Sequence, residues 1–410
     1  MRIHSYAGVV PMAVAALLVC AQSAASQLTL ADALALALRD NPTLRAKQLE
    51  LRTAKANEVT AGLRPNPTAS YLAEQFGGSP DEQQHTVTLS QPLELGGKRQ
   101  RRIDSARAGT RVTTEEIEDV RRQTILQVKK AFNDVLVAQS MLALADDNLR
   151  TLDEVERLQR LRVEKGDISE LELTRIEVQR YAFERDAADS RQAIDVARIA
   201  LRAVTGVDAV APIFTVVGSL EYRDVRPDRD QLMRTALDTR PDLRAAEAGR
   251  AKARADQALA RANAWWDVSP QIEYQRIGPD NTIGFGISLP IRIFDRNQGE
   301  IARTRADVSR ANAAREAVAI QALADVDAAL STLRSEAEKI KVLTDSYLPK
   351  ARQTRDTVEY AYRRGGISLL DFLDAQRSYR ETALEHLRAL GNHRIAVYQL
   401  EAAVGSPIED

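Results

Sequence analysis

Ile287-Ser288-Leu289-Pro290-Ile291-Arg292-Ile293-Phe294-Asp295-Arg296-Asn297-Gln298-Gly299 begins as a strand and ends as the start of a very long helix. A looser copy stands about 200 residues earlier: Leu89-Ser90-Gln91-Pro92-Leu93-Glu94-Leu95-Gly96-Gly97-Lys98-Arg99. In each, an alternating apolar and polar run meets proline and alternates a little further. It then passes a basic cluster into a helical pattern almost free of glycine and proline. A chain that changes from β to α twice in this way is built from two similar halves. Other landmarks keep nearly the same offset: Asn41-Pro42 with Arg240-Pro241, Lys165-Gly166 with Arg364-Gly365, and Ala203-Val204-Thr205-Gly206 with Ala403-Val404-Gly405. The period is far above the ~20–50 residues of solenoid repeats, so the pattern reads as duplication of one large unit.

The 410 residues are 28% charged and 5% aromatic, with a formal net charge of −1. Near-neutral balance argues against nucleic acid as a bulk electrostatic partner. Abundant Ala, Arg, Leu and Glu suit long helices and coiled coils. The N-terminus reads as a secretory signal over residues 1–25: Arg2, an apolar run from Ala7 to Val19, then small residues at Ser23-Ala24-Ala25. Cys20 is the only cysteine, and Val19 stands where a lipoprotein site wants a small residue, which leaves lipidation open. After the signal no apolar run is long enough for a membrane-spanning helix, although a β-barrel can still cross.

The first repeat is expected over 26–206, with strands near 68–76 and 85–92, a long helix near 103–164 and a return helix near 169–204. A connector follows at 207–230. The second repeat is expected over 231–405, with strands near 268–276 and 282–291, a long helix near 298–364 bent at Pro349, and a return helix near 368–403. Residues 406–410 form a tail. In the first long helix Ile117, Val120, Thr124, Val128, Ala131, Val135, Ala138 and onward to Leu152 recur at steps of three and four, a coiled-coil-like seam. Gly166 and Gly365 mark the two helical reversals, and Ser169 with Glu172 suits a capping box.

Each half therefore supplies a hairpin of strands long enough to cross an outer membrane when tilted, with one face apolar and the other Ser, Thr, Gly and Gln. Four strands cannot close a barrel, and open edges are forbidden in lipid, so closure needs several chains; three would give twelve strands. Trp265 and Trp266 stand where an interfacial aromatic belt would fall. Lys98, Arg99 and Arg296 sit at helix starts, where cations oppose the dipole; they read either as contacts to lipid phosphates or as an ion-paired solvated face.

These features together resemble the TolC-like outer-membrane efflux factors. Gln91-Pro92-Leu93-Glu94-Leu95-Gly96-Gly97-Lys98-Arg99 and Leu289 to Gly299 are similar to the heavy-metal branch, the cobalt–zinc–cadmium or CzcC-type components. The resemblance implies a mainly helical fold with a small β part: four very long or paired antiparallel helical arms and two β-hairpins per chain. It implies a homotrimer, with a twelve-stranded barrel in the outer membrane and a helical tunnel in the periplasm. It further implies a periplasmic adaptor and an inner-membrane resistance–nodulation–division pump as partners, and a passive duct for divalent metal cations with no catalysis and no cofactor. The stretch Tyr362 to Asp374 is similar to the family's closing turn. Asp371 and Asp374 match its acidic ring and Tyr362 a gate-linking tyrosine; Ile367 stands where that link has an arginine, a role that would pass to Arg363 or Arg364. Gly166, Gly365 and Gly366 would face the adaptor.

The histidines are too few and too far apart in sequence for a tight metal site, and no nucleophile or phosphate-loop motif is present. Two other readings stand beside this one: the same channel exporting drugs or organic cations, and a periplasmic adaptor or coiled-coil scaffold without a pore.

Overall fold

The computed structural model describes residues 26–408. The expected signal peptide lies outside them, as do the last two residues of the tail. The order is β1 (Ser26–Leu28), α1 (Leu30–Asp40), α2 (Pro42–Gly62), β2 (Thr68–Glu74), β3 (Gln84–Ser90), α3 (Lys98–Glu164), α4 (Glu170–Thr205) and β4 (Phe214–Val216). The same plan then returns: α5 (Arg229–Thr239), α6 (Pro241–Ala262), β5 (Ser269–Ile277), β6 (Asp280–Ser288), α7 (Gln298–Val342), α8 (Leu348–Arg363) and α9 (Leu369–Val404). The fold is mainly helical with a small sheet. Among the described residues no helix is long and apolar enough to cross a membrane.

Two halves of like plan are clasped in the same way. The residue before each helix-starting proline donates to the end of the return helix: Asn41 Nδ2 to Val204 O at 2.7 Å, and Arg240 Nη1 to Ala403 O at 3.1 Å. The glycine closing each return helix has a positive φ, +101° at Gly206 and +83° at Gly405. A Cβ there would press on Asp40 or on Thr239 and Arg240. Three-residue β1 pairs in parallel with β4 and covers the waist, where Val128, Phe132, Val135 and Leu201 form the largest apolar cluster. Thr124, Val128, Ala131, Val135, Ala138, Ala145 and Leu152 of the expected seam are buried.

The first long helix starts at Lys98, ahead of the expected position. Gly96 and Gly97 both adopt left-handed φ, +69° and +73°, and turn the chain sharply enough for the helix to begin at once. In the second half Asn297 does the same at φ +61°, a conformation asparagine tolerates better than most residues. The second long helix is not continuous. A π turn at Leu343–Tyr347 separates α7 from α8, and Leu348 N–H bonds back to Leu343 O. Pro349 explains it, because its ring crowds the carbonyl four residues earlier and it offers no N–H.

Both reversals end in Schellman turns. Gly166 N–H bonds Val163 O and Asp167 N–H bonds Arg162 O; Gly365 N–H bonds Tyr362 O and Gly366 N–H bonds Ala361 O, all at 2.9 Å. The capping box expected at Ser169 and Glu172 does not form: Ser169 makes no side-chain cap, and the Glu172 carboxylate instead acts on Tyr362. The second-half counterpart is capped, with Ser368 Oγ accepting from Asp371 N–H at 3.3 Å.

Gly365 has φ +79° with open space around the missing Cβ, whereas Gly299 in α7 has open space and no positive φ. Gly365→Ala is expected to cost ~1–2 kcal/mol and Gly299→Ala to be neutral or stabilising by a few tenths. Denaturant midpoints of the two variants check this.

Candidate functional site

Four strands form one antiparallel sheet in the order β2-β3-β5-β6, so the β3–β5 pairing joins the halves. Its register sorts side chains by face. Tyr71, Val87, Tyr274 and Ile283 share one row; Ala69, Leu89, Ile272 and Phe285 share the next on the same side. This face is apolar and open, with Phe285 83% exposed. The opposite face carries Ser70, Thr88 and Glu273 in one row and Thr68, Ser90 and Gln271 in another. Thr88 Oγ1 donates to Glu273 at 3.3 Å. Gly284 and Gly286 keep that side low; a Cβ on Gly286 would lie 2.7 Å from Gln271 Nε2. Among the described residues the outer edges of β2 and β6 have no partner strand, so these four strands do not close a tube.

Below the sheet, the change from strand to helix is held by buried polar contacts. Lys98 is 5% exposed, and its ammonium bonds both oxygens of Asp267 at 2.7 Å. Asp267 also accepts from Leu95 N–H at 3.1 Å. Lys98 is thus not presented to lipid: its charge, adverse at a helix N-terminus, is neutralised within the chain. Arg102 pairs with Glu94 and donates to Leu63 O at 2.9 Å. Arg292 donates to Asn263 O, and Asn297 Nδ2 to Ala260 O at 2.7 Å. Arg99 is exposed but donates to Gly62 O at 2.6 Å, and Arg296 is exposed. Trp265 and Trp266 are exposed as well, Trp265 lying against Gly96, where any Cβ would collide with it.

At the opposite end the expected gate residues separate into two sets. Tyr362 is buried with Leu152, Val155, Ile176, Leu369 and Phe372, and stacks on Phe372 with ring centroids 4.9 Å apart. Burial, with the Glu172 carboxylate adding to it, pushes its phenol up to about 12. Arg363 reaches from α8 to Glu154 of α3 at 2.8 Å, and Arg162 Nη2 donates to Arg363 O at 2.8 Å. These contacts tie one helical hairpin to the other. Asp371 and Asp374 lie on the exposed face of α9. Asp371 accepts from Ser368 Oγ at 2.7 Å, and Asp374 from Arg377 at 2.5 Å. Arg364 stacks over Tyr360 at 4.1 Å. Sequence reading missed Glu154, Gln159, Arg162 and Arg377. Gln159 had a signal: it is a polar residue continuing the seam beyond Leu152 and Val155, and it is fully buried beside Tyr362. Among the described residues no three His, Cys, Asp or Glu side chains gather as a metal site.

A two-faced sheet on long paired helices defines a channel-forming protein of the outer membrane. The family profile described as Outer membrane efflux protein matches twice, at residues 33–207 and 232–406. The chain belongs to this family. It is 27% identical over 386 residues to the cobalt-zinc-cadmium resistance protein CzcC of Cupriavidus metallidurans, covering 94% of this chain and 91% of that protein. It is 26% identical over 296 residues to the nickel-cobalt-cadmium resistance protein NccC of Alcaligenes xylosoxydans xylosoxydans, covering 71% and 67%. Among solved structures it is similar to the channel CusC, with a TM-score of 0.77 at 20% identity over 92% of both chains.

The tyrosine yields a test of the periplasmic tip. An unfolded tyrosine ionises near ~10, whereas Tyr362 holds its proton to about 12. Its contribution to stability is therefore complete below the lower value and lost as pH rises through the window between them. Amide exchange at the α8–α9 turn is expected to accelerate across that window in the native chain, and Tyr362→Phe to remove this component.

Proposed function

We propose that three copies of this chain close edge to edge into a twelve-stranded barrel with the polar face inward, and that the helices continue it as a periplasmic tunnel. The observation that carries this is the sheet itself: one face apolar and open, the other polar, and two unpaired edges. Unpaired strand edges cannot stand in lipid, and pairing β6 of one copy with β2 of the next satisfies both. Residues 26–206 and 231–405 are then the two repeats of the wall, with 207–230 as the connector around the waist.

The duct is passive and carries out no chemical step. Its cargo is divalent heavy-metal cations, a reading supported by the resistance functions named for CzcC and NccC. It works with an inner-membrane resistance–nodulation–division pump and a periplasmic adaptor, which meets the tips at Gly166, Gly365 and Gly366. Selectivity resides in the pump, since the polar face offers hydroxyls, amides and the carboxylates of Glu74, Glu273 and Asp280 as transient partners.

At the tip, Tyr362 and Arg363 hold the second hairpin against the first, and the exposed Asp371 and Asp374 face the pore. Three copies place six carboxylates at one constriction, which favours cations. Arg377 offsets part of that charge at Asp374. Asp371→Asn with Asp374→Asn is expected to reduce cation preference in single-channel recordings, read as a reversal potential closer to zero in a salt gradient. An unchanged potential removes the ring from the mechanism.

Growth of a deletion strain, with and without the restored protein, tests the cargo. Sensitivity to zinc, cobalt and cadmium salts, reversed by the protein, is the expected outcome. Sensitivity confined to lipophilic drugs would keep the duct and replace its cargo.

A further inference from the structure

The apolar face does not stop where strand pairing stops. Along β6 and beyond it, Ile283, Phe285, Ile287, Leu289, Ile291 and Ile293 occupy every second position, and all six are exposed. The alternation passes Pro290 unbroken. Arg292, of opposite parity, turns to the other side and bonds Asn263 O. The neighbouring strands continue with the same parity: after Gln91, whose amide is taken up by Pro65 O and Pro92 O, Leu93 pairs with Val268 below the named strands, and Leu95 and Trp266 follow. Phe294, the next residue down, is 89% exposed. Above the topmost apolar row the same face becomes polar at once, with His85, Arg276 and Asn281 side by side.

The length of this stripe can be compared with a membrane. From Ile283 to Ile287 it runs ~14 Å along the strand, or ~10 Å of height at a ~40° tilt. Over its extended part, Ile283 to Ile291, it runs ~27 Å, or ~21 Å of height, and Ile293 and Phe294 follow a tight turn in which Ile293 N–H bonds Ile291 O; this approaches the ~25 Å outward apolar band of such barrels. A membrane centred on the paired strands would place Arg276, His85 and Asn281 in hydrocarbon and leave Ile291, Ile293 and Phe294 in water.

The linker backbone is prepared for an apolar surrounding. Pro92 and Pro290 have no N–H to satisfy. Leu93 and Val268 exchange backbone bonds, Leu95 N–H is taken by Asp267, and Ile293 N–H by Ile291 O. Exposed Arg296 and Arg99 stand just beyond the last apolar residues.

From this we infer that the bilayer sits low on the chain: its inner leaflet covers the strand-to-helix linkers Leu93–Leu95 and Leu289–Phe294, with Phe294 and the two tryptophans at its lower boundary and Arg296 and Arg99 at phosphate level. The inference rests on the lipid-facing reading of the sheet. It departs from that reading in placing four apolar residues beyond β6, Leu289, Ile291, Ile293 and Phe294, in lipid and the top rung of the sheet outside it.

Depth-dependent quenching tests it. The native chain has two tryptophans. In a Trp265→Phe, Trp266→Phe background, Leu289→Trp and Phe294→Trp are each refolded into phosphatidylcholine vesicles carrying bromines either near the chain carbonyls or deep in the acyl chains. The expected result is loss of Leu289→Trp emission mainly to deep bromines, and of Phe294→Trp emission mainly to shallow ones. The inference is overturned if Leu289→Trp responds to shallow bromines while Phe294→Trp responds only to acrylamide in the water phase. If neither responds to any brominated lipid, the lipid-facing reading of the sheet fails with it. The unsubstituted protein gives an independent readout that needs no refolded variant. Its own tryptophans are expected to be quenched by shallow bromines, and quenching by acrylamide alone would also overturn the inference.

Discussion

The ladder between β3 and β5 is the constraint on which the rest depends. Among the described residues the two halves exchange backbone hydrogen bonds along it, from Gln84–Ile277 to Ser90–Gln271, and in its continuations to Gln83–Gly278 at one end and Leu93–Val268 at the other. Side chains on a strand alternate between faces, so a slip of one residue here would send Val87 and Leu89 to the polar side of the sheet. The register of this one pair commits both hairpins to a common apolar face. It also fixes the rotation at which α3 and α7 leave the sheet. Side-chain bonds that cross between segments, Lys98 to Asp267 and Arg292 to Asn263, then lock that departure.

What could be read in the sequence was whatever local chemistry determines. Ile283 to Leu289 alternates so cleanly that its face assignment needed no tertiary information. Gly166 and Gly365 are legible because a helix reversal requires a left-handed residue. The seam through Val128 and Ala138 is legible because burial on a helix has a fixed period. Asp267 as the partner of Lys98 was not legible: it lies 169 positions away, and only the fold brings it near. A cation at a helix start therefore read equally as a lipid contact or as part of an ion-paired solvated face. Ser169 and Glu172 had the spacing of a capping box, but Ser169 makes no side-chain cap, and the Glu172 charge acts instead on the buried phenol of Tyr362. The π turn before Pro349 was half legible, since proline announces a disturbance and not its form.

The waist shows how the duplicated halves diverged without losing their joint. Asn41 makes its clasp as a neutral amide. Arg240 makes the equivalent clasp as a buried cation, so it needs counterions, and Asp242 and Asp325 bond it at 2.6 and 3.0 Å. Burial opposes ionisation of Asp242, but the bonds from Arg240 and the field of Arg122 outweigh it and hold the carboxyl below its usual range. The second clasp is thus a charged network where the first is a single hydrogen bond. Removing one member of such a network costs more than removing an isolated polar contact.

The pairing of β1 with β4 moors the start of the described chain at the waist, beside Val128 and Phe132 of α3. Lys98, at the sheet end of that helix, is 30 residues from Val128, which corresponds to ~45 Å along the axis.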